Sequence, residues 1–182
     1  MPPGVVQSAD KVMKMAFYLP LILIIAISAY LLLSHRRIAK KRGAADRNFN
    51  RLESLLERRF GLLSDAAKSL RDAARADKNA LAALNKAVDA YARADCTEDE
   101  LRASRAAYAV LAGLMPAAEN SRVGLDKNLR ALWREIVKTE EDMGFLLEFY
   151  NDAAKAYNDS IRSFPGSAAA AVFQFQPKKY LR

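Results

Sequence analysis

Residues 125–164 read LDKNLRALWREIVKTEEDMGFLLEFYNDAAKAYNDSIRSF. Apolar side chains fall at Leu125, Leu129, Leu132, Ile136, Met143, Leu147, Tyr150, Ala154, Tyr157, Ile161 and Phe164. The steps alternate between three and four, with one longer step that passes over Glu140. Such spacing keeps one side of an α-helix apolar along its whole length. At about 1.5 Å per residue the stretch makes a rod roughly 60 Å long. Its stripe must lie against another helix of similar length, as in a coiled coil.

A partner is readable upstream. Between Ala44 and Ala94, apolar residues at 49, 52, 56, 60, 63, 67, 70, 74, 81, 84, 88 and 91 again step by three and four. Asp77 and Lys78 fill one skipped turn. The spacing predicts a second long helix, antiparallel to the first, with Gly43 as a joint ahead of it. Thr97-x-x-Glu100 has the form of a capping box, and Glu98, Asp99 and Glu100 suit a helix N-terminus. Leu101, Tyr108, Leu111 and Met115 make a shorter stripe, expected to end at Gly113 and Pro116. Asn120 or Ser121 is then a cap for the long C-terminal helix, and Pro165-Gly166 is its stop. The fold class expected is all-α, a long antiparallel helical bundle over residues 44–166.

Composition fits helices and a membrane segment together. Hydrophobic residues make up 52% of 182, with only seven Gly and six Pro. Met15 to Leu33, MAFYLPLILIIAISAYLLL, carries no charge. A bilayer core about 30 Å thick takes about 20 such residues as helix. Pro20 is placed near the start of this helix, where a missing donor costs least. Tyr18 and Tyr30 lie near its two ends, as interfacial aromatics do. A cleaved signal peptide is the rival reading, because Ala26-Ile27-Ser28 resembles a small-x-small cleavage site. The apolar run exceeds the usual h-region, however, and continues into Leu31-Leu32-Leu33 before a basic stop-transfer flank. The released form would be a secreted or periplasmic helical binding module.

The formal charge of +8 is concentrated in that flank. Arg36, Arg37, Lys40, Lys41, Arg42 and Arg47 lie within a few residues of the apolar run, with Asp46 as the one acid. Lys11 and Lys14 precede it. The excess of basic residues after the span places the C-terminal domain in the cytoplasm and residues 1–14 outside, as a short tail. Residues 34–43 then form a basic juxtamembrane segment. A juxtamembrane cluster sets topology and touches anionic headgroups, so no nucleic-acid partner is expected.

Residues 167–182 hold four alanines and then VFQFQPKKYLR. Val172, Phe173, Phe175, Tyr180 and Leu181 are too many apolar side chains for a free tail. An extended segment docked on the bundle or the membrane surface is expected.

Two blocks resemble the LemA family. Residues 150–165, YNDAAKAYNDSIRSFP, hold two Tyr-Asn pairs seven apart, then Ile161-Arg162-x-Phe164-Pro165. A Phe175-x-Pro177-Lys178-x-Tyr180 ending follows. Leu56-Glu57-Arg58-Arg59-Phe60-Gly61-Leu62-Leu63 is similar to the family's Arg-Arg-aromatic block. The chain departs from the pattern at Ser64-Asp65, where Pro-Asn is usual, and at Leu147, where Arg is common. The resemblance implies a membrane-anchored helical protein without an established activity. Its motif residues here are Arg58, Arg59, Glu140, Tyr150, Asn151, Tyr157, Asn158, Phe164 and Pro165.

The residues themselves give those positions structural work. Tyr150 and Tyr157 lie on the stripe and each needs a partner for its hydroxyl. Asn151 and Asn158 share a heptad phase and are suited to bonding facing backbone or side chains. Glu140, if buried, needs a cation, and Arg58 or Arg59 on the facing helix can supply it.

Catalytic patterns are not found in the sequence. His35 is the one histidine and Cys96 the one cysteine, far apart in the chain. A single cysteine forms no intrachain disulfide, and Cys96, set among acids, is a poor nucleophile. No His, Cys and carboxylate spacing suits a metal, and no Gly-rich phosphate loop or nucleophile elbow occurs. Trp133 on the stripe reads as core. No enzyme, cofactor or metal is expected. The function expected is a structural or scaffold protein at the cytoplasmic face of a bacterial-type membrane. Its partners are lipid along residues 15–33 and an unidentified protein or a second copy of the chain.

Overall fold

The structure, a computed structural model, describes residues 3–72, 78–119 and 127–182, with side chains at 16, 18–71, 78–116 and 127–182. Among the described residues five helices follow in order: α1 (Pro3–Asp72), α2 (Lys78–Ala92), α3 (Thr97–Glu119), α4 (Lys127–Arg162) and α5 (Gly166–Phe173). No strand occurs among the described residues. The fold is all-α, as the spacing of apolar residues requires.

The chain divides into two compact units. The second comprises Ala44–Ala153 and Lys179–Arg182. Its core joins four helices: Leu63, Ala66, Ala67 and Leu70 of α1, Leu84 and Ala87 of α2, Ala107, Leu111 and Met115 of α3, and Leu129 and Ile136 of α4. Each sits on the three-four stripe of its helix or one turn beside it. Full burial of such a Leu or Ile side chain is worth about 1.5–3 kcal/mol, so this cluster is the principal source of the unit's stability. Within the unit α1 and α4 run antiparallel. Asn48 Nδ2 donates to the Phe149 carbonyl at 3.0 Å, and Arg58 Nη2 meets Glu135 Oε2 at 2.5 Å.

The stripe over residues 44–94 is divided between two helices rather than carried on one. The Phe60 and Tyr91 rings stack at 4.6 Å, and Arg71 Nη2 donates to Asn85 Oδ1 at 3.0 Å. These pairs make α2 run back along α1. Apolar spacing cannot distinguish one long helix from two whose stripes keep phase across a reversal. The polar step at Asp77–Lys78 marks the place, and residues 73–77 between the two helices lie outside the described residues.

Helix ends correct several further expectations. At the start of α3 the Cys96 carbonyl accepts from the Asp99 and Glu100 amides at 3.0 and 3.1 Å. Cys96 therefore holds the N-cap place and Thr97 is already helical, so the capping box is not formed. Pro116 does not stop α3, which continues to Glu119. One turn suffers from the missing donor, and burial of Leu111 and Met115 holds it. The expected cap at Asn120 or Ser121 lies outside the described residues, as does Leu125.

The first unit comprises Met1–Gly43 and Ala154–Lys178. Ile38, Tyr157, Ile161, Ala169 and Ala170 form its core, with Leu31 and Phe175 packed against it. Lys41 Nζ donates to the Ala156 carbonyl at 3.2 Å. Gly43 is helical within α1 and is the last residue of this unit before the division at Ala44. A glycine costs a helix only about 1 kcal/mol, which packing outweighs. The helix also begins at Pro3, so residues 3–14 are helical rather than a loose tail, and Pro20 falls in its interior. Apolar membrane helices tolerate such a proline where local adjustments satisfy the freed carbonyl.

α4 stops at Arg162 before Pro165-Gly166, in agreement with the sequence. Residues 166–173 are helical as α5, and only the segment beyond Gln174 is extended. The alanine run explains the difference, since alanine is the strongest helix former. Gln174 ends α5 in the left-handed region (φ 55°, ψ 40°), with its N–H bonded to the Ala170 carbonyl.

Candidate functional site: two Tyr-Asn clamps on the C-terminal tail

The Tyr-Asn pairs of α4 hold the main chain of the C-terminal tail. In the first unit the Tyr157 hydroxyl donates to the Gln176 carbonyl at 2.8 Å. Asn158 Nδ2 donates to the Lys178 carbonyl at 2.8 Å, and Asn158 Oδ1 accepts from the Lys178 N–H at 2.8 Å. In the second unit the Tyr150 hydroxyl donates to the Lys179 carbonyl at 2.7 Å. Asn151 Nδ2 donates to the Leu181 carbonyl at 2.8 Å, and its Oδ1 accepts from the Leu181 N–H at 3.0 Å.

The two clamps are the same device used twice. Each Tyr takes one carbonyl, and each Asn takes both main-chain groups of the residue two further on. The pairs repeat every seven residues on α4, a rise of about 10.5 Å. Their targets repeat every three residues in the tail, about 10 Å of extended chain. An amide is the side chain for this task, since it carries both a donor and an acceptor.

Both tyrosines are buried beneath the tail. The Phe49 ring lies 5.5 Å from that of Tyr150, and the Phe175 ring approaches Tyr157 edge-on at 6.5 Å. Burial, with the Asp46 carboxylate second, pushes the Tyr150 hydroxyl above its ordinary value, so it remains a donor.

The second polar feature lies between α1 and α4. Arg59 is fully buried and pairs with Glu140, whose side chain is 34% exposed. Arg59 Nη1 also meets Met143 Sδ at 3.5 Å, and the guanidinium sits 5.1 Å from the Tyr108 ring centroid. Arg59 Nε has no hydrogen-bond partner among the described residues. Burial lowers the guanidinium from its ordinary value, while Glu140 opposes that shift. The pair occupies the skipped turn of the α4 stripe, so a charge takes the place of an apolar contact there. Arg58, its neighbour, is exposed and meets Glu135 instead.

Other motif residues are placed elsewhere. Phe164, read as the end of the stripe, is 82% exposed, and Pro165 is half-buried. Both lie beyond the last residue of α4, where helical phase no longer applies. Arg36, Arg37, Lys40, Lys41 and Arg42 all lie exposed on α1. The sequence pointed to the tyrosines and asparagines, and to backbone as one possible partner of the asparagines, but not to the tail as the backbone they hold. Met143 and Tyr108 were legible as apolar positions only, not as contacts of Arg59. His35 was likewise missed: its ring lies 4.5 Å from Phe173 and 5.4 Å from Phe175.

The arrangement binds and orders chain. Among the described residues no three His, Cys, Asp or Glu side chains group as metal ligands would.

No curated protein matches this sequence. The LemA family model matches residues 48–182, which include the Arg-Arg block, both Tyr-Asn pairs and the tail, and leave out the apolar run at 15–33. With a match over that much of its length, the chain belongs to the LemA family.

Proposed function

We propose that the chain is a single-span membrane protein whose C-terminal bundle stands in the cytoplasm and associates with other protein, without catalysis. One observation carries the anchoring. α1 is apolar and long enough to cross a membrane, and its apolar part is bare. Leu19, Ile22, Ile24, Ile25 and Leu32 are all exposed, at 60–69%. A helix apolar on all sides and left almost bare by the described residues needs a non-aqueous surrounding. The basic side chains from Arg36 to Arg42 follow at once, which supports an N-out, C-in orientation.

Association is supported by the surface of the second unit. Phe145 and Phe149, one turn apart on α4, are both exposed. A shallow groove beside Phe145 is lined by Arg51, Leu55, Arg58, Asp142 and Leu146. Aromatic and arginine side chains together are frequent anchors of protein interfaces.

Cys96, the single cysteine, is exposed in the turn before α3 and reports orientation directly. A membrane-impermeant maleimide should label it only after cells are permeabilised. Labelling in intact cells would contradict the cytoplasmic placement and favour a released or inverted domain.

A further inference from the structure

We propose that the α4–α5 corner, formed by Phe164, Val172 and Phe173, seats in the interfacial layer of the membrane against anionic lipid headgroups. The proposal rests on the anchored reading of residues 15–33 and adds a second, independent contact with lipid.

The depth of the corner follows from contacts within the first unit. Leu31, inside the uncharged run, packs on the cluster of Ile38, Tyr157, Ile161, Ala169 and Ala170. Ser34 is buried, and His35 stacks on Phe173. Gly166 approaches so closely that a Cβ there would lie 3.7 Å from Ile38 Cδ1. Residues 31, 34, 35 and 38 are one face of α1, and this face carries the corner. It starts in the last turn of the span and ends five residues past Leu33, about 7.5 Å further along the axis. Headgroup layers extend roughly 5–7 Å beyond the hydrocarbon on each side. The corner therefore lies at headgroup depth once residues 15–33 fill the hydrocarbon.

Its outward side chains suit that depth. Phe164 is 82% exposed, Val172 61% and Phe173 39%. α5, GSAAAAVF, carries no charge. Exposed Arg36, Arg37, Lys40 and Arg162 belong to the same unit. Aromatic side chains beside basic ones at the end of a span match an anionic surface. The patch is continuous with the span, so lipid that surrounds the anchor reaches it directly.

Tryptophan quenching by brominated lipid tests the proposal on the full chain. Trp133→Phe removes the native fluorophore and keeps a ring against Tyr108. In that background Phe164→Trp, Lys155→Trp and Ile25→Trp are reconstituted in vesicles of phosphatidylglycerol and brominated phosphatidylcholine. Trp at 164 should emit at shorter wavelength and lose most of its emission to the brominated chains. Lys155, exposed and nine residues earlier in the chain, should give an unquenched, water-like signal. Trp at 25 quenched with Trp at 164 unquenched overturns the proposal and leaves the anchor standing. Trp at 25 unquenched overturns the anchor itself. Trp at 164 shielded from iodide yet unquenched by lipid means a protein covers the corner, and also overturns the proposal.

Discussion

Asn158 holds Lys178 by both of its main-chain groups, the carbonyl and the N–H each at 2.8 Å from the side-chain amide. Neither bond depends on the Lys178 side chain, so the clamp reads the path of the chain rather than its sequence. Asn158 is itself 1% exposed, so this contact is made away from solvent. Removing it leaves part-buried main-chain groups unsatisfied.

Asn158→Ala should release the tail. Two bonds lost at a buried site cost about 1–3 kcal/mol. Limited trypsin digestion followed by mass measurement should show faster cleavage after Lys178 and Lys179, with the core helices intact. Unchanged cleavage would mean the tail is held by its apolar side chains alone.

Glu140→Leu should be more damaging than its partial exposure suggests. It leaves Arg59 buried without its counter-charge. Breaking a buried pair costs about 3–5 kcal/mol, and the low end applies because Glu140 reaches solvent. Arg59→Met combined with Glu140→Leu should recover most of the loss, since a thioether fits beside Met143 and Tyr108. Thermal unfolding of the two single variants and the double variant measures the coupling.

Glu100 lends the second unit a pH dependence. Burial first, then repulsion from Glu53 and Glu57, raises its carboxyl above the ordinary 4.5. The folded state thus binds the proton more tightly than the unfolded one. The stability gained by protonation is fully present below the unfolded pKa and is lost as pH rises through the folded pKa. Glu100→Gln should raise Tm at pH 7, and the gain should shrink as pH falls below that window. A pH-independent gain would assign the effect to packing.

Gly166→Ala should disrupt the first unit. A Cβ there would run into the Ser160 carbonyl oxygen, a backbone atom that cannot step aside. Overpacking of this kind costs about 1–3 kcal/mol. Hydrogen exchange should report it as lost protection in α5 and the last turns of α4.

Which parts of the fold the sequence disclosed follows from what side-chain periodicity encodes. The α4 stripe was legible because Leu129, Ile136, Met143, Tyr150, Ala154, Tyr157 and Ile161 are buried in the order their spacing requires. The turn back of α2 was not, because Leu81 and Leu84 keep the phase set by Ala67 and Leu70 of α1 across residues 73–77. Periodicity gives a face but not a direction. Arg59 as partner of Glu140 was readable as one of two neighbours, since a stripe interrupted by an acid needs a cation opposite. That the tail docks was readable from its apolar side chains, but which atoms hold it was not. Asn151 and Asn158 bond to main-chain atoms thirty and twenty positions away, and every residue carries such atoms.

The intact mass of the chain recovered from alkaline-carbonate-washed membranes tests the anchored reading most directly. The account predicts the full 20.2 kDa chain in the washed pellet. A chain shortened through about Ser28 and recovered in the soluble fraction would contradict it.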